Sequence, residues 1–371
     1  MIFEKFLQNI HEMRPAPPRK SGPLPFYHIP RQGRRFKSPH VAILPLGNAK
    51  LRLGRHPQDT SPRYNLEMAS VRSPRNPSKR ITEERNPASK NLDRKSALEI
   101  VRLMNGEDEK VIRAVRRELP AIAKAIDAIV ARMKTGGRLI YVGAGTSGRI
   151  GILDASECPP TFGVSPSLVH GLIAGGRKAI TRSIEGAEDR ATDGARDLRK
   201  LRLSPKDSVV GIAASGTTPY VLGAVLYAQK RGALTIAISS NRHSPLTRAV
   251  QIAITPEVGS EILAGSTRLK AGTSQKMVLN MLSTAVMVRL GHAYDNLMID
   301  MGEANEKLRE RAQWILEEAS GKSVSAVTRA LRQTGHDLRL ALILLKTGVS
   351  AAQARRLLKQ SGGNLRKALN E

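Results

Sequence analysis

The sequence has one cysteine, Cys158, so no disulfide can form within the chain. It contains no CxxC, no HExxH and no two histidines four residues apart; its eight histidines are scattered, four of them in residues 1–80. With no ligand cluster for zinc or iron, neither a metal nor another cofactor is expected. No apolar run of about 18 residues occurs, which argues against a membrane-spanning helix. The N-terminus opens on acidic Glu4 and lacks a basic start followed by an apolar stretch, so it makes a poor signal peptide and the cytoplasm is the expected location. Aromatic residues are only 3% of the chain. The core must therefore come mainly from Ala, Ile, Leu and Val, and few aromatics are available to stack on single-stranded nucleic acid.

Acidic residues are also scarce, 32 against 60 Lys and Arg, for a formal charge of +28. The excess is uneven. Residues 1–80 hold 16 basic against 4 acidic side chains and 12 of the 21 prolines, in stretches such as RQGRRFK (31–37) and VRSPRNPSKR (71–80). No helical or strand period persists there, and residues 1–81 are expected to form a disordered basic extension. Two readings stand for it: a basic arm that touches nucleic acid or anionic membrane, or a start codon placed too far upstream. Removing residues 1–80 should leave folding and turnover intact, which the melting temperature and activity of the shortened chain would check. The remaining positive charge is spread thinly and suits a phosphorylated small molecule as well as it suits a polyanion.

From about residue 95 the pattern becomes periodic. PAIAKAIDAIVARMK repeats its apolar residues at helical spacing, with Pro120 near the first turn and Gly136-Gly137 as the stop. RLIYVG (138–143) then reads as a buried strand. VHGLIAG (169–175), DSVVGIA (207–213), LTIAIS (234–239) and QIAITP (251–256) follow, most of them separated by helical stretches. This alternation predicts a parallel sheet covered on both faces, an α/β fold in three layers. TSQKMVLNMLSTAVMVRL (273–290) reads as a long helix of the core or of a dimer interface. Near the end, LRQTGHDLRLAL (331–342) and LKQSGGNLRKAL (358–369) echo each other as helix, glycine turn, helix.

Four features carry chemistry. GAGTSGR (143–149) and AASGTTPY (213–220) each follow a strand and open a helix. In the first, Gly145, Thr146 and Ser147 offer close backbone and hydroxyls; in the second, Ser215, Thr217 and Thr218 do the same. Two such loops at neighbouring strand ends predict a ligand crevice able to hold a phosphate without a lysine. Five carboxylates lie nearby: Asp154 and Glu157 in GILDASECPP, and Glu185, Glu188 and Asp189 in IEGAED. Acid–base chemistry needs two ionisable groups facing one substrate, and spacing does not choose among the five. Finally, GSTRLKAGTSQK (265–276) puts Ser266 and Lys270 at the start of the long helix, a setting that suits an anion.

ERNPASKNLDR (84–94), GAGTSGRIGILDASECPPTFGV (143–164), IAGGRKAITRSIEGAED (173–189), GIAASGTTPYV (211–221), GSTRLKAGTSQK (265–276) and NLMIDM (296–301) occur in this order. From about residue 82 to the C-terminus the chain resembles the N-acetylmuramic acid 6-phosphate etherases, enzymes of the sugar-isomerase (SIS) fold. The resemblance implies an α/β/α SIS domain over 82–305, a small helical, UBA-like module over 306–371, a homodimer and no metal. It implies cleavage of the substrate's lactyl ether with addition of water, with acid–base glutamates at Glu157 and Glu188. Glu157 corresponds to the proton donor, which leaves Glu188 as the candidate base. Such a donor should have a raised pKa, expected here from burial beside Pro159, Pro160 and Phe162. Three features depart from the family: residues 1–80 have no counterpart, Thr217 stands where many members have Arg, and Leu269 replaces a usual Met. Two other readings share the fold, a sugar-phosphate-binding regulator without catalysis and an aldose–ketose isomerase. Retention of both glutamates favours the etherase.

Overall fold

The apolar runs form five strands: β1 (Leu139–Gly143), β2 (Val169–Ile173), β3 (Ser208–Ile212), β4 (Leu234–Ile238) and β5 (Ile252–Ile254). They come from a computed structural model of the chain, which describes residues 81–302 and 306–371. The expectations for residues 1–80 lie outside the described residues. All pairings are parallel, in the order β2-β1-β3-β4-β5. Parallel strands need helical crossovers, and these cover both faces.

Side chains alternate across each strand, so one sheet feeds two cores. Leu139 and Tyr141 of β1 join the larger core, with α1 (Ala97–Arg117), α2 (Leu119–Met133), α3 (Gly145–Phe162) and α8 (Lys270–Leu290). Ile140 and Val142 join the other, with α5 (Ala191–Lys200), α6 (Pro219–Lys230) and α7 (Pro245–Arg248). A short α4 (Lys178–Thr181) follows β2. Helix α1 starts in a capping box between Ser96 and Glu99, preceded by three 3₁₀ turns at Ile81–Glu83, Pro87–Ser89 and Leu92–Arg94. Helix α8 buries Val278, Leu279, Leu282, Val286 and Met287. Truncating Leu279 or Leu282 to alanine is expected to cost about 2–5 kcal/mol, measurable by denaturant unfolding.

A third core belongs to the C-terminal helices α9 (Glu306–Ser320), α10 (Val324–Thr334), α11 (Leu338–Thr347), α12 (Ala351–Gln360) and α13 (Leu365–Ala368). Both copies of the sequence echo are built alike. Asp337 caps α11 by accepting from Leu340 N at 3.0 Å, and Asn364 caps α13 by accepting from Lys367 N at 3.0 Å. Tyr294, Ile299 and Met301 pack into this core, so the segment after α8 already belongs to it.

The strand order fixes where a ligand can sit. The chain leaves β1 for β2 on one side and returns to β3 on the other. Helices after β1 and β3 therefore diverge, opening a crevice at the carboxyl ends of those strands.

Candidate functional site

The turn from β1 into α3 is made with backbone alone. A Cβ on Gly143 would lie 2.6 Å from the Gly148 nitrogen, and one on Gly148 would lie 2.6 Å from Cγ1 of Ile173. Ala144 is the N-cap of α3 and has no side chain to cap with, so first-turn amides remain for a ligand. After β3 the device is repeated. Ser215 Oγ accepts from Thr217 N at 3.2 Å and from Thr217 Oγ1 at 3.0 Å. Thr218 is the N-cap of α6, makes no side-chain cap bond, and is followed by Pro219 in the first turn.

The loop after α4 is fastened to α6 by main chain. The Glu188 carbonyl accepts from Tyr220 N at 2.9 Å, and the Tyr220 hydroxyl donates to Asp197 Oδ2 at 3.0 Å. Arg149 on α3 donates from Nε to the Ile180 carbonyl at 2.9 Å and from a terminal nitrogen to the Arg182 carbonyl at 3.2 Å. A cavity of about 400 Å³ opens at the β1–β3 crevice. Gly145, Thr146 and Ser147 line it from α3, Ser215, Thr217 and Thr218 from the β3–α6 turn, and Thr267 from the loop before α8. Glu188 and Asp189 line it too, together with Glu83, which the sequence reading missed. Glu83 lies one residue before the first motif used in that reading, against the basic extension, and nothing in its local pattern marks it.

The lining divides into two chemistries. Hydroxyls and helix N-termini, each carrying about half a positive charge, suit a phosphate. Carboxylates suit sugar hydroxyls and proton transfer. No Lys or Arg lines the cavity among the described residues, so an anion there would be held by neutral donors. Among the described residues no group of three potential ligands could hold a metal ion.

Three of the expected site residues are elsewhere. Ser266 does not line the cavity; its neighbour Thr267 does. Lys270 is the first residue of α8 and is only 2% exposed, its ammonium 2.5 Å from Oε2 of the equally buried Glu107. It is committed to structure rather than to a ligand, because a buried ammonium needs a buried counter-charge. Glu107 also accepts from Lys110 at 2.5 Å and from Asn86 Nδ2 at 2.9 Å, while Glu261 caps α8 by accepting from Lys270 N and Ala271 N. Burial pushes the Glu107 carboxyl up, but the hydrogen bonds from Lys110, Lys270 and Asn86 outweigh it and bring it down to about 2. A depressed folded-state value stabilises the fold above the unfolded carboxylate pKa and loses that stability as pH falls toward about 2. Lys270→Met is expected to cost up to about 3–5 kcal/mol near neutral pH, because buried Glu107 keeps only Lys110 and Asn86, and less under acid; denaturant unfolding at both pH values checks this.

Glu157 is the third. It lies ten residues beyond Ser147 on α3, a rise of about 15 Å, and does not line the cavity. The expected burial beside Pro159, Pro160 and Phe162 is not observed: Glu157 is exposed. Burial falls instead on the next residue, Cys158, whose thiol is pushed up to about 12. Of the other candidate carboxylates, Glu185 is outside the cavity, and Asp154 packs against α8, where it accepts from Ser283 Oγ at 2.9 Å and burial pushes its carboxyl up.

On the same side of the sheet, α2 and α8 flank an open groove of about 870 Å³ lined by Leu119, Ile122, Ile126, Met281 and Val288. Leu153, one turn before Glu157 on α3, is 50% exposed, and Val288 is 46% exposed. Leu153 therefore presents apolar surface one turn from Glu157.

Comparison with known proteins identifies the fold and the relatives. Residues 121–229 match the model of the glucokinase regulatory protein N-terminal SIS domain, and residues 190–285 match that of the SIS domain. A phosphoheptose isomerase from Francisella tularensis superposes with a TM-score of 0.41 at 19% identity, over 52% of this chain and 98% of its own. The N-acetylmuramic acid 6-phosphate etherase of Caldanaerobacter subterraneus subsp. tengcongensis is 52% identical over 289 residues, 78% of this chain and 94% of its own. Those of Pectobacterium atrosepticum and of Yersinia pestis strain Pestoides F are 53% and 54% identical over the same share of this chain, and 95% and 98% of their own. By this likeness, and by the five-stranded parallel sheet beneath it, the chain belongs to the N-acetylmuramic acid 6-phosphate etherase family.

Proposed function

We propose that the chain is a cytoplasmic N-acetylmuramic acid 6-phosphate etherase, a carbon–oxygen lyase that yields N-acetylglucosamine 6-phosphate and D-lactate. One observation carries the reading: a single cavity is lined both by hydroxyls and helix N-termini fit for a phosphate and by carboxylates that include Glu188. A sensor of sugar phosphates needs the first set and has no use for a proton acceptor beside it.

The chemistry follows from the substrate. An alkoxide leaves poorly from C3, so the ether is not displaced directly. Opening of the sugar ring exposes an aldehyde at C1 and acidifies the proton on C2. Glu188 takes that proton, the C3–oxygen bond breaks, and the departing ether oxygen is protonated to give lactate. Water then adds to C3 of the unsaturated aldehyde, C2 regains a proton, and the ring closes. The phosphate is anchored by Thr146, Ser147, Ser215, Thr217 and Thr218 together with the amides of α3 and α6.

The proton for the leaving oxygen comes from Glu157. Since this residue stands about 15 Å along α3 from the cavity wall, we assign it to the cavity of a second copy. A two-fold axis through the apolar layer of α2, α3 and α8 reverses α3 between copies and turns the far half of one helix toward the partner's cavity. The enzyme in this reading is a homodimer with two shared sites, and α9–α13 form its appended UBA-like module.

The test is turnover in deuterium oxide. D-lactate should appear, and the N-acetylglucosamine 6-phosphate should carry deuterium at C2. Lactate without deuterium at C2 would remove the enolate step, and absence of lactate from a folded dimer would return the chain to the sensor reading.

A further inference from the structure

Glu83 faces the same cavity as Glu188 but comes from the first 3₁₀ turn, at Ile81–Glu83. The chain fixes that turn firmly. Thr82 beside it is buried. Three residues on, buried Asn86 donates from Nδ2 to Glu107 Oε2 at 2.9 Å and to the Ser260 carbonyl at 3.1 Å, and its Oδ1 accepts from Ala88 N at 3.0 Å. Glu107 is in turn held by Lys270 at the start of α8. The buried ion pair therefore ties the segment carrying Glu83 to the helix whose approach loop supplies Thr267. Room for the carboxylate is also provided. Gly265 has a φ of +77°, and a Cβ there would come within 3.2 Å of Glu83 Oε2. The left-handed backbone favours glycine at this position, and the absent side chain leaves the carboxylate an uncrowded approach.

Glu83 has no ion pair and no hydrogen bond among the described residues, and no Lys or Arg lines the cavity with it. A carboxylate near a phosphate site repels the anion, so Glu83 is fit for a different part of the ligand. An ionised carboxylate accepts only, at two oxygens, and its natural neutral partners are hydroxyl and amide donors. We propose that Glu83 is a substrate-binding residue that accepts hydrogen bonds from hydroxyl or amide groups of the sugar, so that the cavity selects hexose phosphates over bare phosphate. The inference deepens the etherase reading only in naming the sugar; binding tests it without turnover.

The experiment is calorimetric titration of the full chain with N-acetylglucosamine 6-phosphate, and separately with inorganic phosphate, for wild type, Glu83→Gln and Glu83→Ala. Loss of charge-assisted hydrogen bonds should weaken the hexose phosphate on the order of 10- to 100-fold in the alanine variant, with a smaller loss for glutamine, which keeps one acceptor oxygen. Inorganic phosphate should bind as well as before or slightly better. Melting temperatures matching wild type exclude a folding effect, and if the alanine variant does not fold the glutamine variant carries the test. Unchanged hexose-phosphate affinity, or an equal loss for both ligands, would overturn the proposal, as would failure of the wild type to bind the hexose phosphate. Binding that depends on Glu83 in a chain that releases no lactate would sink the etherase reading alone.

Discussion

Glu188→Ala should lower D-lactate release on the order of 100- to 10,000-fold, and should stop exchange of the C2 proton with deuterium oxide. The loop at Glu188 is held by its own carbonyl to Tyr220 N, so removing the side chain leaves the anchoring bond in place. The side chain is exposed to the cavity and makes no packing contribution to either core. Folding should therefore be unchanged, and the loss should fall on kcat more than on KM, because proton abstraction belongs to the transition state. Glu157→Ala differs: it should stop lactate release on a similar scale yet still exchange C2, since the acid acts after the enolate forms. Normal exchange in Glu188→Ala, or lost exchange in folded Glu157→Ala, would reverse or remove these roles.

The second large effect is recovery of activity from two inactive chains. When Glu157→Ala and Glu188→Ala are co-expressed, a mixed dimer pairs one chain's intact Glu188 cavity with the other's intact Glu157. One of its two sites is complete and the other is doubly defective. Random pairing then gives about one quarter of wild-type activity, because half the dimers are mixed and each has one working site. If both glutamates acted within one chain, every site would lack one of them. Differently tagged chains purified in tandem isolate the mixed dimer; a mixed dimer as inactive as its parents would refute the shared site.

Much of this fold was legible because burial writes itself into sequence. The strands stood out as short apolar runs, since a parallel sheet covered on both faces leaves no polar alternation. The two Gly-and-hydroxyl turns were legible for a similar reason: Gly143 and Gly148 meet too closely for any side chain. The loop before α8 was harder. Lys270 looked like an anion ligand because an ammonium at a helix start suits one; its partner Glu107 lies 163 residues earlier, a contact that local pattern does not encode. Glu157 was found through resemblance, and its distance from the cavity follows from the length of α3, which runs unbroken through Pro159 and Pro160. Glu83 escaped because the segment that carries it is placed through Asn86, which bonds Glu107 and Ser260, a junction of distant segments.

The most direct measurement is turnover of N-acetylmuramic acid 6-phosphate in water enriched in oxygen-18, with the products separated by mass. Elimination followed by hydration breaks the bond between C3 and the ether oxygen. The account predicts D-lactate free of the label and N-acetylglucosamine 6-phosphate carrying it in the C3 hydroxyl. Label in the lactate, or a folded dimer that releases no lactate, would contradict it.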